Sequence, residues 1–330
     1  MDLSDNAFGL NTAGPLVAFL SQHVPLRHLI LNNNGLGPEA GALVADALTT
    51  LAGKKEEARR KDGGAEVPAL ETVVCGRNRL ESGSMGAWAR CFRANRGVKV
   101  VRMVQNGIRQ EGIAVLLKEG LGKCEGVEVL DLQDNTFTVV GARALAGVVG
   151  GWGGLRELGV GDCLVGARGM VHLVREGLGK GGTGGLRVLR AQYNEIDVEG
   201  VKALVEAVKG GTLEGLRRVE LNGNKFSEDD EAVERLRTVL DERKEEPKEG
   251  GEGEWGLDDL SDLEEMSEDE DEDEDEDEGE GEDDEEDEER EGKAEKVLEE
   301  ADQEENRKVS QKQDEEVDEL AEQLGKTELQ

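Results

Sequence analysis

The residues Leu29-Ile30-Leu31-Asn32-Asn33-Asn34-Gly35-Leu36-Gly37, with Leu26 three positions ahead, spell L-x-x-L-x-L-x-x-N-x-L-G. The pattern returns down the chain. Aligned on its asparagine, the copies place their turn residue at Asn6, Asn34, Asn78, Asn106, Asn135, Cys163, Asn194 and Asn224. The spacings are 28, 44, 28, 29, 28, 31 and 30 residues. Alternating apolar residues before each turn call for a strand with one face buried. The asparagine amide bonds backbone groups that a sharp bend leaves unpaired, and for that it needs copies above and below it. One copy cannot bury its own apolar face, so the pattern requires a stack.

Between the turns lie helical patterns. In Gly37-Pro38-Glu39-Ala40-Gly41-Ala42-Leu43-Val44-Ala45-Asp46-Ala47-Leu48, the residues Leu43, Val44, Ala47 and Leu48 share one helix face. Similar stretches lie near Glu111–Leu117, Gly141–Val149, Ala167–Glu176 and Glu199–Val208. Strand plus helix at a period of 28–31 describes an α/β leucine-rich-repeat horseshoe of the long class, with parallel strands on the concave face and helices outside. The 44-residue spacing places an insertion near residues 53–68 that carries Lys54-Lys55-Glu56-Glu57-Ala58-Arg59-Arg60-Lys61, read as a longer helix end and a solvated surface loop, with a nuclear-import signal as the alternative. A helix over about Glu228–Arg243, with Ser227 at its N-cap, is expected to close the C-terminal end of the stack. The repeat domain thus covers residues 1–246.

Charge divides the chain at the same place. The net charge is -36, yet residues 1–246 hold 34 acids against 32 bases, and residues 247–330 hold 42 against 8. Glu268 to Glu278 and Glu282 to Glu289 are unbroken acidic runs. Such a composition buries too little apolar surface to fold, so residues 247–292 read as a disordered acidic tail and 293–330 as an undocked helix. A polyanion of this size argues against nucleic acid and anionic membrane surfaces as partners. Cys75, Cys91, Cys124 and Cys163 lie far apart without C-x-x-C spacing; they read as structural thiols in a reducing compartment, Cys75 and Cys163 at positions that should be buried. No secretory signal opens the chain and no apolar run nears membrane-spanning length.

No catalytic constellation stands out. His23, His28 and His172 fall on loops or helices without an evident partner. Gly177-Leu178-Gly179-Lys180-Gly181-Gly182-Thr183-Gly184 follows a helix and enters a strand, the reverse of a phosphate-binding loop. No cofactor and no metal are implied. The repeat offers instead a surface. The residue just before each turn position should stand on the lip of the concave face: Asp5, Asn33, Arg77, Gln105, Asp134, Asp162, Tyr193 and Gly223. This column is polar, rigidly mounted and mixed in sign, which suits a protein ligand.

At several copies the letters go beyond repeat consensus. Leu3-Ser4-Asp5-Asn6-Ala7-Phe8-Gly9, Asn33-Asn34-Gly35-Leu36-Gly37-Pro38, Cys75-Gly76-Arg77-Asn78-Arg79-Leu80-Glu81, Met103-Val104-Gln105-Asn106-Gly107-Ile108-Arg109, Leu130-Asp131-Leu132-Gln133-Asp134-Asn135-Thr136-Phe137-Thr138, Gln192-Tyr193-Asn194-Glu195-Ile196 and Glu220-Leu221-Asn222-Gly223-Asn224 closely resemble the Ran GTPase-activating proteins in their fungal form. The likeness runs from residue 1 to about 246, and the acidic tail fits it. It implies a cytoplasmic activator of GTP hydrolysis by Ran, serving nucleocytoplasmic transport. The family supplies no arginine finger and orients Ran's own catalytic glutamine. The asparagine implicated in that contact maps onto Asn33, whereas Asn34 is structural. Asp5, Arg77, Arg79 and Gln105 follow as Ran contacts. The implied partner is GTP-bound Ran, with a Ran-binding protein as an optional third component, and the chain is expected to be a monomer.

Met1 occupies the first leucine position of its copy, without the preceding L-x-x. Members of the family begin with further repeats that carry a functionally important arginine. The expectation is therefore an N-terminally incomplete chain with impaired activation, and the alternative function is a non-catalytic protein-binding scaffold. The ribonuclease-inhibiting long-repeat proteins are cysteine-rich and fit four cysteines poorly.

Overall fold

In the computed structural model, residues 1–61, 67–245 and 254–263 are described. Their strands are β1 (His28–Ile30), β2 (Thr72–Val74), β3 (Val100–Arg102), β4 (Val129–Asp131), β5 (Glu157–Gly159), β6 (Val188–Arg190), β7 (Arg218–Glu220) and β8 (Gly256–Leu257). They form one parallel sheet in sequence order. The register repeats without slippage: Leu29 pairs with Val73, Val73 with Val101, Val101 with Leu130, and so on to Val219. The central residue of each repeat strand from β1 to β7 is buried. A one-residue slip would turn that whole apolar row to solvent, which fixes the register. The helices α1 (Leu10–Leu20), α2 (Gly37–Lys61), α3 (Met85–Ala94), α4 (Gln110–Val115), α5 (Thr138–Val149), α6 (Gly166–His172), α7 (Val198–Lys209) and α8 (Glu231–Glu245) cover the other side. Each packs mainly on its neighbours in sequence, as a solenoid requires.

The turn asparagines are joined in a ladder. The Asn78 Oδ1 accepts from the Asn34 backbone N–H at 2.9 Å, and the Asn78 N–H in turn donates to Asn106 Oδ1 at 2.9 Å. The Asn78 Nδ2 donates back to the Leu31 carbonyl at 2.8 Å and to its own turn at Gly76 O, 2.9 Å. Asn106, Asn135, Asn194 and Asn224 repeat the arrangement. Where Cys163 replaces asparagine, its thiol points to the Leu132 and Gly161 carbonyls at 3.4 and 3.3 Å. All four cysteines are buried and free. Burial pushes the Cys75 and Cys163 thiols up to about 12 and Cys124 up to about 11, so they stay protonated and act as packing groups.

Glycine decides how closely successive helices approach. After α4 and α6 the chain continues through wider helical turns at Leu116–Gly120 and Leu173–Gly177. A Cβ on Gly120 would lie 2.7 Å from Ala89 Cα, and one on Gly177 would lie 2.8 Å from Ala146 Cα. Any side chain there would push neighbouring repeats apart.

The insertion lengthens α2 to 25 residues, ending at Lys61. Residues 62–66 lie outside the described ones. One expectation for this stretch fails. Lys55 is not part of a solvated face; it is buried, and its ammonium donates to the carbonyls of Val24, Leu26 and Pro68 at 2.6, 2.6 and 2.7 Å. The linkers that lead into β1 and β2 have carbonyls without strand partners, and Lys55 satisfies them. At the far end Arg243 does the same for Leu213 and Leu216 at 2.9 and 2.6 Å.

Both ends of the stack differ from expectation. The first copy is a single parallel bridge, Asp2 with Ile30, instead of a full strand. Helix α8 begins at Glu231, not Glu228; Asp230 accepts from the Ala232 N–H at 2.7 Å and caps it, while Ser227 bonds Asp229 within the preceding turn. The larger correction concerns the start of the acidic tail. Residues 254–263, read as unable to fold, return to the stack and add β8 to the open edge of β7. Trp255 lies against the Arg217 guanidinium at 5.3 Å, and Leu260 is buried. Asp258 accepts from the backbone N–H groups of Leu221 and Asn222 at 2.8 and 3.0 Å, closing the last turn. The acidic runs from Glu268 onward, and the helix expected over 293–330, lie outside the described residues. Histidine placement is also revised: His28 is in β1 with Nδ1 2.9 Å from Thr72 Oγ1, and His23 stacks on Phe19.

Because Asp258 fastens two terminal amides, Asp258→Ala should release residues 254–263. Hydrogen exchange at Leu221 and Asn222 is expected to rise about tenfold or more, and Trp255 emission to shift red. Trp88 and Trp152 are buried in the repeat core and supply a constant background. Unchanged exchange at these two amides would show that Asp258 does not hold the segment.

Candidate functional site

The lip is produced by backbone geometry. Asp5, Asn33, Arg77, Gln105, Asp134, Asp162, Tyr193 and Gly223 all have left-handed backbones, with φ between 51° and 70°. This conformation turns the chain sharply between the strand and the buried turn residue. It aims the residue before the turn outward while the asparagine points in. Among these eight only Gly223 avoids the Cβ penalty of left-handed backbone; asparagine and aspartate tolerate it better than arginine, glutamine or tyrosine.

At the N-terminal end of the lip, Asn33 is exposed and its Nδ2 donates to Asp5 Oδ1 at 2.7 Å. The Asn33 N–H donates to Gly76 O at 2.9 Å, and the carboxamide of adjacent Asn32 accepts from Gly76 N at 2.7 Å. A Cβ on Gly76 would fall 3.1 Å from that Asn32 oxygen, so Gly76 keeps the contact open. Asn33 therefore sits on a doubly anchored backbone with its carboxamide oriented by Asp5. Arg77 is exposed one copy further on.

Arg79 and Gln105 belong to a different feature. They line a shallow depression of 480 Å³ with Glu81, Gly107, Asp134, Asp162 and Leu164, floored by Asn106 and Asn135. The sequence-predicted residues thus form two groups: Asn33 hydrogen-bonded to Asp5, and Arg79 beside Gln105. Arg77 stands on the lip in the copy between Asn33 and Gln105.

The concave wall beneath is asymmetric. From β3 onward Arg102 faces Asp131 and Glu157 at 3.6 and 3.3 Å, and Arg190 faces Glu157 and Glu220 at 3.5 Å each. These charges neutralise one another along the sheet. On β1 and β2 the corresponding positions are Ile30 and Val74, with Val100 and Val104 of the next copy nearby, all half-buried. Among the described residues, no group of three or more His, Cys, Asp or Glu is placed to hold a metal ion, and no helix is long and apolar enough to cross a membrane.

Two lip features escaped the sequence reading. Leu164, directly after Cys163, has φ 53° and is 51% exposed. Tyr193, a member of the lip column and of a stretch that resembles the family, donates its hydroxyl to Asp262 at 3.0 Å, a contact the sequence does not announce. That bond depends on the returning segment, which no local pattern announces.

Comparison with known proteins places this chain in a family. A model described as Leucine Rich repeat matches residues 124–146. Ran GTPase-activating protein 1 of Saccharomyces cerevisiae is 39% identical over 245 residues, covering 73% of this chain and 58% of the yeast protein. The chain is a homologue of the Ran GTPase-activating proteins. Ran GTPase-activating protein 2 of Caenorhabditis elegans is 44% identical over 115 residues, covering 34% of this chain and 11% of its own. The chain thus spans under two thirds of the length of either relative. Among solved structures, a Bacteroides fragilis protein aligns at 15% identity with a TM-score of 0.39, over 74% of this chain and 68% of its own. The homology to Ran GTPase-activating proteins spans most of the repeat domain, and the lip is the surface of that domain where polar side chains are rigidly presented.

Proposed function

We propose that this chain binds GTP-loaded Ran and accelerates its GTP hydrolysis, with Asn33 orienting Ran's own catalytic glutamine and without an arginine finger. The observation that carries this reading is the Asn33–Asp5 pair. An exposed carboxamide is held by a 2.7 Å hydrogen bond on an anchored backbone, at the position the family resemblance marks. A carboxamide donates and accepts at once, so it can bond another carboxamide in a single geometry. Its contribution is positioning, since the attacking water and the phosphates belong to Ran. Arg77, Arg79 and Gln105 extend the contact surface along the lip. A Ran-binding protein can take part as a third component, and the chain acts as a monomer in the cytoplasm, in support of nucleocytoplasmic transport.

The test is single-turnover GTP hydrolysis by Ran with this chain, against Ran alone. Asn33→Ala should lower the accelerated rate on the order of 100-fold while leaving binding of Ran nearly intact. Asp5→Ala should cost less, because it removes the orienting bond and keeps the carboxamide. If the chain binds GTP-loaded Ran without accelerating hydrolysis, the scaffold reading replaces the activator. If Asn33→Ala is as fast as its parent, the role moves away from Asn33.

A further inference from the structure

Four large apolar side chains stand out as exposed among the described residues: Met1, Phe19, Leu164 and Tyr193. Met1 and Phe19 are at the N-terminal end. Leu164 and Tyr193 are in consecutive copies on the lip, and both have left-handed backbones, φ 53° and 54°. For leucine and tyrosine that conformation costs free energy, and exposing the side chain adds to the cost. Other copies place Gly35 and Gly107 where Leu164 stands, so the fold itself does not require leucine there.

The tyrosine is also held in one orientation. A Cβ on Gly223 would lie 2.1 Å from Tyr193 Cδ1, so the ring lies over the bare Cα of Gly223. Its hydroxyl is fastened by Asp262. A fixed, 47% exposed aromatic is pre-organised for contact, because little rotamer entropy remains to be lost on binding. The surroundings are acidic. Glu81, Asp134 and Asp162 share the depression with Leu164 against the single base Arg79, and Asp262 flanks Tyr193.

We propose that Leu164 and Tyr193 are a second anchor for the protein ligand that docks at Asn33, receiving an apolar side chain of that ligand flanked by lysine or arginine. This rests on the reading of the ligand as Ran. The two ends of the lip fit one footprint. Asn33 and Tyr193 are five strands apart, which at strand spacing is about 24 Å along the sheet. A standard interface buries roughly 800 Å² on each partner and covers that span. The anchor sets affinity and register, and Asn33 sets the hydrolysis rate.

The experiment measures binding of Ran loaded with a non-hydrolysable GTP analogue, with hydrolysis at saturating chain as a second readout. Leu164→Ala and Tyr193→Ala should each weaken binding about tenfold, with the saturated hydrolysis rate unchanged. Tyr193→Phe keeps the ring against Gly223 and loses the Asp262 bond that helps to hold it, so it should fall between the parent and Tyr193→Ala. The double variant Asp134→Asn with Asp162→Asn should weaken binding and flatten its dependence on salt. Thermal melts close to the parent show that these surface variants fold. If the unaltered chain binds and both alanine variants bind within about twofold of it, the second anchor is overturned while the activator reading stands. If Tyr193→Phe falls as far as Tyr193→Ala, the returning segment, and not the ring, carries the effect, and the proposal fails for Tyr193. If the unaltered chain does not bind Ran, both readings fall together.

Discussion

Asn78→Ala is expected to cost about 3–5 kcal/mol of stability. Asn78 is fully buried, and its side chain accepts from the Asn34 N–H and donates to the Leu31 and Gly76 carbonyls. Alanine leaves the buried Asn34 N–H without a partner, at roughly 1–3 kcal/mol, and removes one of the two hydrogen bonds at each of the Leu31 and Gly76 carbonyls, which keep the Asn34 Nδ2 and the Asn33 N–H. The loss is local in origin and spreads, because each copy is stabilised by its neighbours. Thermal unfolding should begin at the N-terminal copies and the main transition should fall by about 10 °C. Asn78→Cys, which copies the arrangement at Cys163, should cost less. Asn33→Ala, one residue before a turn asparagine but exposed, should cost under about 1 kcal/mol. A melt for Asn78→Ala that matches the parent would remove the asparagine ladder as the main polar support of the stack.

The second large effect is expected at Lys55. Lys55→Met keeps most of the aliphatic stem and leaves the Val24, Leu26 and Pro68 carbonyls unpaired, at a cost of about 3 kcal/mol. The same residue predicts a pH dependence. Burial, and secondarily the charge of Arg59, pulls its ammonium from 10.5 down to about 8. Below that value Lys55 is protonated in both states and the desolvation cost is fully present. Between about 8 and 10.5 the unfolded chain holds the proton and the folded chain does not, so stability attributable to Lys55 rises with pH across that window. Denaturant titrations of parent and Lys55→Met at several pH values check this: the difference between the two should widen from pH 8 to pH 10. A constant difference would mean that the three carbonyls hold the ammonium charged throughout.

The contrast between Asn78 and Lys55 marks what was legible. A turn asparagine is recognisable because seven of the eight copies share it, and its partners are the same positions of adjacent copies. The lip column was readable for the same reason: the residue before the turn is turned outward by a left-handed backbone in all eight copies, although Gly223 is then buried against Tyr193 and does not reach the surface. Lys55 belongs to no repeat position. Its partners, 31, 29 and 13 residues away, are carbonyls of the linkers that lead into β1 and β2. Composition misled at residues 254–263 because it averages over a window. Trp255, Leu257 and Leu260 are enough to seat a short strand when β7 offers an unpaired edge, and Asp258 is a cap there instead of a repelled charge.

By itself the sequence determined the parallel stack, the inward row of leucines and valines, the structural role of Asn34 and the outward position of Asn33. These follow from a period, and a period copies one local solution along the chain. The tertiary structure alone decided that Asn33 is oriented by Asp5, that Arg79 and Gln105 share a depression, that Tyr193 is pinned over Gly223 by Asp262, and that the chain returns to close its own edge. Each depends on contacts between copies that differ from the consensus, or between a repeat and a segment outside the repeats. Such contacts are set by which side chains meet in space, and a one-dimensional pattern carries no record of them.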